Sequence, residues 1–400
     1  MVNHWEAKQG DLKVGFSLER IKRISRLYPK FLTLRGPWEA TTFWHASVPK
    51  GLLLFFLASA LPGCYFGYIV KQGYYQSQLL TGKKTISQVL KRNDLDPKKR
   101  QKLELILAVR KFALERLALT PGYNYTTINP RWNHVVYNVM GSKPLAFEPY
   151  VWSFPIVGTV PYLGFFDPSD ARAEAKRLKD TGYEVLIREV DAYSTVGFFR
   201  DPVWPKMLER SDRSLIDLII HETSHATLYF PSSTTFNESF ANFVAKAGTL
   251  TYLKERYGEH SPELRDAKAY YKDDERYQGF MWKLYQALDS IYQKTIPDAQ
   301  KLKFKENTID REIKALGHLQ FKSAEFQGFK PHHLNNAELI LFGTYNQDLG
   351  TFQRLLDCMH GDYSRFISAL RTLKGSNDLV EALKHLVQKR EREGCLVSQP

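Results

Sequence analysis

The sequence predicts an α+β chain, mostly helical, with a small β-sheet placed before one buried helix that carries two histidines. Three observations predict it. Apolar residues recur at helical spacing over residues 97–117, and long helical stretches follow from about residue 263. Residues 134–166 are β-branched and aromatic, punctuated by glycine and proline, which reads as short strands. Leu215, Ile216, Leu218, Ile219 and Ile220 run directly into "HETSH", so that helix is buried.

Four hundred residues, 43% apolar and 14% aromatic, supply an ample core and exclude a disordered chain. The formal net charge of +13 raises nucleic-acid binding as a possibility. The basic residues are interspersed with acids and carry no recognition motif, so no nucleic-acid partner is expected. A basic surface facing anionic lipid accounts for the charge as well. Cys64, Cys358 and Cys395 are far apart in the sequence and form no C-x-x-C pair. They predict neither a disulfide framework nor a thiolate zinc site.

The N-terminal region divides at Cys64. Residues 51–63, "GLLLFFLASALPG", form a short apolar run behind Lys50 and end in small residues, the pattern of a secretory signal. "LPGC" resembles the bacterial lipobox, whose cysteine is lipidated and becomes the first mature residue. Two other readings are a transmembrane anchor over "GLLLFFLASALPGCYFGYIV", kinked at Pro62, and a buried helix; the short length favours the signal core. The preceding residues are too many for an ordinary signal start, which a true start near Val48 would explain. Residues 1–63 are thus a signal region with the lipobox ending at Cys64, and residues 64–400 are the functional domain.

Beyond Cys64, residues 65–90 read as an aromatic-rich connector entering a helix. The charges of 97–117 form a solvated helix face. "HVVYNVM", "WSFPIVGTV" and "YLGFF" are strands, "ARAEAKRLKDTG" is a helix stopped at Gly182, and "YEVLIREV" is another strand. "DAYSTVGFFRDPVWP" leads as loop or edge strand to the histidine helix. One polar break, at 306–336, interrupts the later helices.

His221 and His225 stand four residues apart, so on a helix they project to one side about a turn apart and can grip one ion. A hydrolytic zinc ion takes three nitrogen or oxygen ligands and leaves one position open for water. Glu222, next to the first ligand, can serve as general base toward that water. Pro231 and the following Ser/Thr cluster break the helix, and a hydroxyl there can cap the next one. Glu238 then falls in the opening turns of a helix returning past the first, as third ligand. Ala241, Ala245 and Ala247 are small enough for the two helices to approach. Two histidines buried without partners would be costly, which favours a metal over an ordinary core helix. The expected cofactor is one Zn2+ per chain.

"HETSH" followed by "FNESFA", preceded by "FPIVGTVPYLGFFD" and "AYSTVGFF", and later "NNAELILFGTYN", resembles the predicted-aminopeptidase family of bacterial zinc lipoproteins. The similarity runs from roughly Leu61 to Leu373. It implies a zincin-like metallopeptidase in which His221, His225 and Glu238 bind zinc and Glu222 is catalytic, as in gluzincin peptidases. Two departures matter. The interval from His225 to Glu238 is shorter than in thermolysin-like enzymes. The Gly-x-Met-Glu-Asn segment by which many zinc aminopeptidases bind a free α-amine is absent.

The developing oxyanion needs a donor across the cleft, and Tyr193 and Tyr345 are the candidates. Asn237 is placed to orient Glu238. Asn335 and Asn336 could contact substrate backbone or cap a helix. The expectation is a zinc-dependent aminopeptidase that hydrolyses peptides through a zinc-activated water. Its membrane partner is reached through lipid on Cys64 of the bacterial envelope, and it faces the periplasm. Tyr65 rather than aspartate after the cysteine resembles outer-membrane-sorted lipoproteins. The alternatives are a zinc endopeptidase and an inactive, lipid-anchored scaffold on the same fold.

Overall fold

The computed structural model describes residues 66–130, 132, 134–154, 158–190, 201–231, 233–329, 332, 334–345 and 349–395. Cys64 and the apolar run before it lie outside the described residues. In chain order, α1 (Phe66–Leu80), β1 (Lys84–Thr85) and α2 (Ile86–Leu90) lead to α3 (Pro97–Arg116) and β2 (Thr127–Ile128). There follow β3 (Val136–Ser142), β4 (Trp152–Phe154), β5 (Gly158–Val160), β6 (Leu163–Phe165), α4 (Pro168–Asp180) and β7 (Glu184–Val190). A 3-10 turn at Pro205–Glu209 precedes α5 (Asp212–Thr227) and α6 (Thr234–Tyr257). The remainder is helical: α7 (Pro262–Tyr292), α8 (Asp298–Gly317), α9 (Ala324–Gln327), α10 (Asn336–Tyr345), α11 (Leu349–Cys358), α12 (Tyr363–Arg371) and α13 (Leu379–Arg392).

The α+β expectation holds, with the sheet ahead of α5. Strand β3 is central and antiparallel to both neighbours, β6 and β7. Tyr137 lies opposite Phe165 on one side and opposite Glu189 on the other. Helix α4 covers this sheet with Ala171, Ala175 and Leu178, and ends where Gly182 takes φ +85°, a left-handed conformation glycine adopts without penalty. Two short pairs, β1–β2 and β4–β5, lie apart from it.

The largest core joins α2, α3, α5, α6, α11, α12 and α13. Helix α3 starts on Asp96, whose side chain accepts from the Lys99 N–H, with Pro97 at its first position, and buries Leu103, Ile106, Val109 and Ala113. None of the described helices is long and apolar enough to cross a membrane.

Three expectations need correction. Residues 66–80, read as a connector, are helix α1: Tyr68 donates to the Gly164 carbonyl at 2.8 Å and Leu79 is buried. The polar break begins later than residue 306, because α8 runs to Gly317. Lys305, Thr308, Ile309 and Leu316 give it a buried stripe that its many charges obscure. Cys358 and Cys395, unpaired by sequence spacing, form a disulfide with Cα atoms 5.2 Å apart. The packing of α11 against α13 brings them together across the 37-residue separation, which no local motif records.

A buried polar hub ties the sheet to the helices behind it. The fully buried Lys305 ammonium pairs with Glu184 at the start of β7 and donates to the Pro144 carbonyl at 2.8 Å. The other Glu184 oxygen accepts the Asn336 N–H at 2.8 Å. The Asn336 side chain donates to the carbonyls of Lys143, Pro144 and Ala146, and accepts from the Tyr292 hydroxyl at 2.8 Å. Replacing Lys305 alone leaves Glu184 half-buried without its cation. Lys305→Ala should therefore destabilise the fold by about 3–5 kcal/mol. Lys305→Met with Glu184→Gln should recover much of that loss in denaturant unfolding.

Candidate metal centre and active site

Helix α5 begins on Ser211, whose hydroxyl accepts from the Ser214 N–H, and buries Leu215, Ile216, Ile219 and Ile220. Its hydroxyl residues are satisfied within the helix. Thr223 donates to the Ile219 carbonyl at 2.6 Å and Ser224 to that of Ile220 at 2.8 Å. Helix α6 returns antiparallel. Glu238 faces His221 and His225 near one end, and Gly248 and Thr249 face Ile220 and Asp217 further on. A Cβ at Gly248 would stand 2.6 Å from Leu117 and 3.1 Å from Ile220, so close approach requires glycine there. Ala241 and Ala245 are buried in the same contact, while Ala247 is only partly so.

This approach brings the sequence-predicted ligands together. Nε2 of His221 lies 3.1 Å from Nε2 of His225. Oε2 of Glu238 lies 3.3 Å from the first and 3.5 Å from the second. Three protein ligands at about 2.0–2.1 Å from a tetrahedral ion stand about 3.3–3.4 Å apart, so the triangle fits zinc-type coordination. Two facing imidazole nitrogens and a carboxylate oxygen also need a positive centre, a proton or a metal, between them. With only protons to share, burial opposes charge on His221, but Glu238 and Glu222 outweigh it and raise its pKa to about 9. Burial likewise opposes charge on Glu238, but its bonds from both histidines bring it down to about 2. The donor set can thus hold one cation, and no other His/Cys/Asp/Glu group among the described residues is arranged to do so.

Glu222 is buried beside this triangle, and burial raises its carboxyl pKa against the opposing pull of His221 and His225. Its Oε2, like Nδ1 of His225, meets no hydrogen-bonding partner among the described residues. The bonds of Asn237 run to the Phe230 backbone, accepting from its N–H at 2.9 Å and donating to its carbonyl at 2.8 Å. Asn237 therefore buckles the turn that aims α6, rather than orienting Glu238 as its place in the sequence suggested. Ser233 occupies the cap position of α6 and its side chain makes no capping bond. Tyr193 lies outside the described residues, and of Tyr345 only the helical backbone, ending α10, is described. Asn335 caps α10, accepting from the Glu338 N–H at 3.2 Å, and Asn336 belongs to the buried hub.

Sequence reasoning missed a polar row running from the ligands toward α7. Asp217, one turn before His221, accepts from the Tyr271 hydroxyl at 3.0 Å. Arg213 packs its guanidinium 3.4 Å from the centre of the Tyr270 ring and pairs with Glu325. Asp217 could have been found, because it precedes His221 by one helical turn. Its partner Tyr271 on α7, and the Glu325 of α9 that pairs with Arg213, could not.

The helix pair presents two imidazoles and a carboxylate at ion-binding distance, with a second carboxylate beside them, a donor set that could hold one metal ion. The chain belongs to the family described as Putative aminopeptidase, whose family model matches residues 67–384. That membership points to peptidase activity. Among curated proteins and among solved structures, nothing matches the chain.

Asp274 on α7 faces Lys246 and the Asp217 row. Burial is the main cause that pushes its carboxyl up, to about 6, with Lys246 opposing and Asp217 adding. A folded-state value above the unfolded one makes the neutral form the stable one in the fold. Stability is then greatest below about pH 4 and falls as pH rises through about 6. Asp274→Asn should stabilise the protein at pH 7 by about 1–2 kcal/mol and change little at pH 4, as read by denaturant unfolding.

Proposed function

We propose that this chain is a zinc-dependent aminopeptidase, held at the envelope membrane by lipid on Cys64 and acting in the periplasm. The observation that carries the reading is the triangle of His221, His225 and Glu238 with Glu222 buried at its side. Two nitrogens and one oxygen, each within 3.5 Å of the others, favour zinc over ions that prefer all-oxygen shells. Zinc, when bound there, supplies the Lewis acidity that makes water a nucleophile near neutral pH. Glu222 takes the proton from the attacking water and hands it to the leaving amine. Its burial raises its basicity for that exchange. The family's description as Putative aminopeptidase supports cleavage at the amino end of a peptide.

The disulfide between Cys358 and Cys395 supports the compartment, since such bonds persist where thiols are not kept reduced. Cys64→Ser should release the protein from the membrane fraction. Retention at the membrane would instead favour anchoring by the apolar stretch 51–70.

Purified protein should contain about one zinc per chain, lost in His225→Ala. Glu222→Gln should keep the zinc and lose turnover by about 10²- to 10⁴-fold. A library of peptides with free and acetylated N-termini decides the rest. Equal cleavage of both would replace the aminopeptidase reading with an endopeptidase. Zinc without any cleavage would make the chain a scaffold. A protein without zinc, unaffected by His221→Ala, would end the metal reading.

A further inference from the structure

Helix α1 carries its polarity in the wrong sense for a helix bordering water. Its one charged residue, Lys71, turns toward α4 and pairs with Asp167 at 3.0 Å and with Asp170 at 2.7 Å. The side-chain oxygen of Gln72 accepts the Phe166 N–H at 3.1 Å, and Tyr68 donates to the Gly164 carbonyl. The other side of the helix presents Ile69, Val70 and Tyr74, which are 40%, 55% and 60% exposed. Gly67, Gly73 and Ser77 are exposed beside them. A turn of 3.6 residues puts all these positions on one side of α1. A surface helix in water places charge on its outer face, whereas this outer face has none.

Chain connectivity says what meets that face. Cys64 precedes α1 by two residues, no more than about 7 Å of extended chain. The uncharged run 51–63 ends directly before it. Whether the anchor is lipid on Cys64 or the apolar stretch itself, it holds the bilayer next to the first turn of α1. The bonds of Tyr68, Lys71 and Gln72 fasten the helix along the domain, so α1 can lie against a membrane but not cross it. A tether this short also gives a small apolar face a high effective concentration of lipid to meet. Tyr74 suits the boundary, its ring apolar and its hydroxyl able to reach headgroups and water.

We propose that the outer face of α1, formed by Ile69, Val70 and Tyr74, rests in the headgroup region of the anchoring phospholipid bilayer and fixes how the domain stands on it. The inference rests on anchoring at Cys64 or by the stretch before it. It adds a second contact, of the kind an interfacial helix makes, that a tether alone would not supply.

The full chain, purified with its anchor and reconstituted into vesicles of phosphatidylethanolamine and phosphatidylglycerol carrying a photoactivatable phospholipid, tests the contact. Lipid crosslinks mapped by mass spectrometry are expected within residues 67–77. Val70→Asp combined with Tyr74→Asp should lose them while the melting temperature stays unchanged, since both side chains are exposed. No lipid crosslink on α1 in the unsubstituted chain overturns the proposal, and so does a crosslink pattern that the two charges leave intact. Crosslinks from α1 to a second copy, or to residues 51–63, in place of lipid would make those the occupant and overturn it as well. The mass of the peptide bearing Cys64 reads the anchor separately. An unacylated Cys64 ends the lipid-anchor reading, and the crosslinks still decide whether α1 meets the bilayer.

Discussion

The separation between α5 and α6 is the constraint on which the rest of the structure depends. Gly248 sits against Ile220 of α5 and Leu117 at the end of α3, where a Cβ would crowd both, and nearer the start of α6 Glu238 stands 3.3 and 3.5 Å from the two imidazoles. The apolar faces that bring the helices together also remove water from the donors. In that setting a carboxylate and two histidines interact far more strongly than they would in solvent. A slightly wider gap would leave three ordinary polar residues on two helices.

The chain treats the half-buried Glu184 and the buried Glu222 in opposite ways. Glu184 has a partner at each oxygen, a lysine on one and a backbone N–H on the other, and it serves to lock strands to helices. Glu222 keeps one oxygen unmatched among the described residues. A satisfied buried charge rigidifies, whereas an unsatisfied one keeps free energy in reserve for a partner that arrives later.

Much of the site was legible in the sequence because its geometry is local. Helical periodicity alone aligns His221 with His225, and a short polar break followed by a helix start returns Glu238 to them. The strands and α4 were legible for the same reason, through alternation and a terminal glycine. What escaped was long-range. The disulfide joins residues whose spacing matches no motif. Helix α8 hid its buried stripe among charges, because Lys305 is a core residue written as a surface one. Asn237 was recognised as important, but its role is to shape the turn.

The sequence separations in these two sets of contacts differ greatly. The ligands and Glu222 all lie between residues 221 and 238, so bringing them together closes only a short loop and orders little chain. The hub contacts between Glu184 and Lys305 span 121 residues, and those from Asn336 to the β3–β4 connection span 190 or more. Contacts of low sequence separation form at small entropic expense, whereas distant ones must wait for the intervening chain. The helical hairpin that carries the candidate metal ligands can therefore form early in folding, with the sheet and outer helices closing around it afterwards.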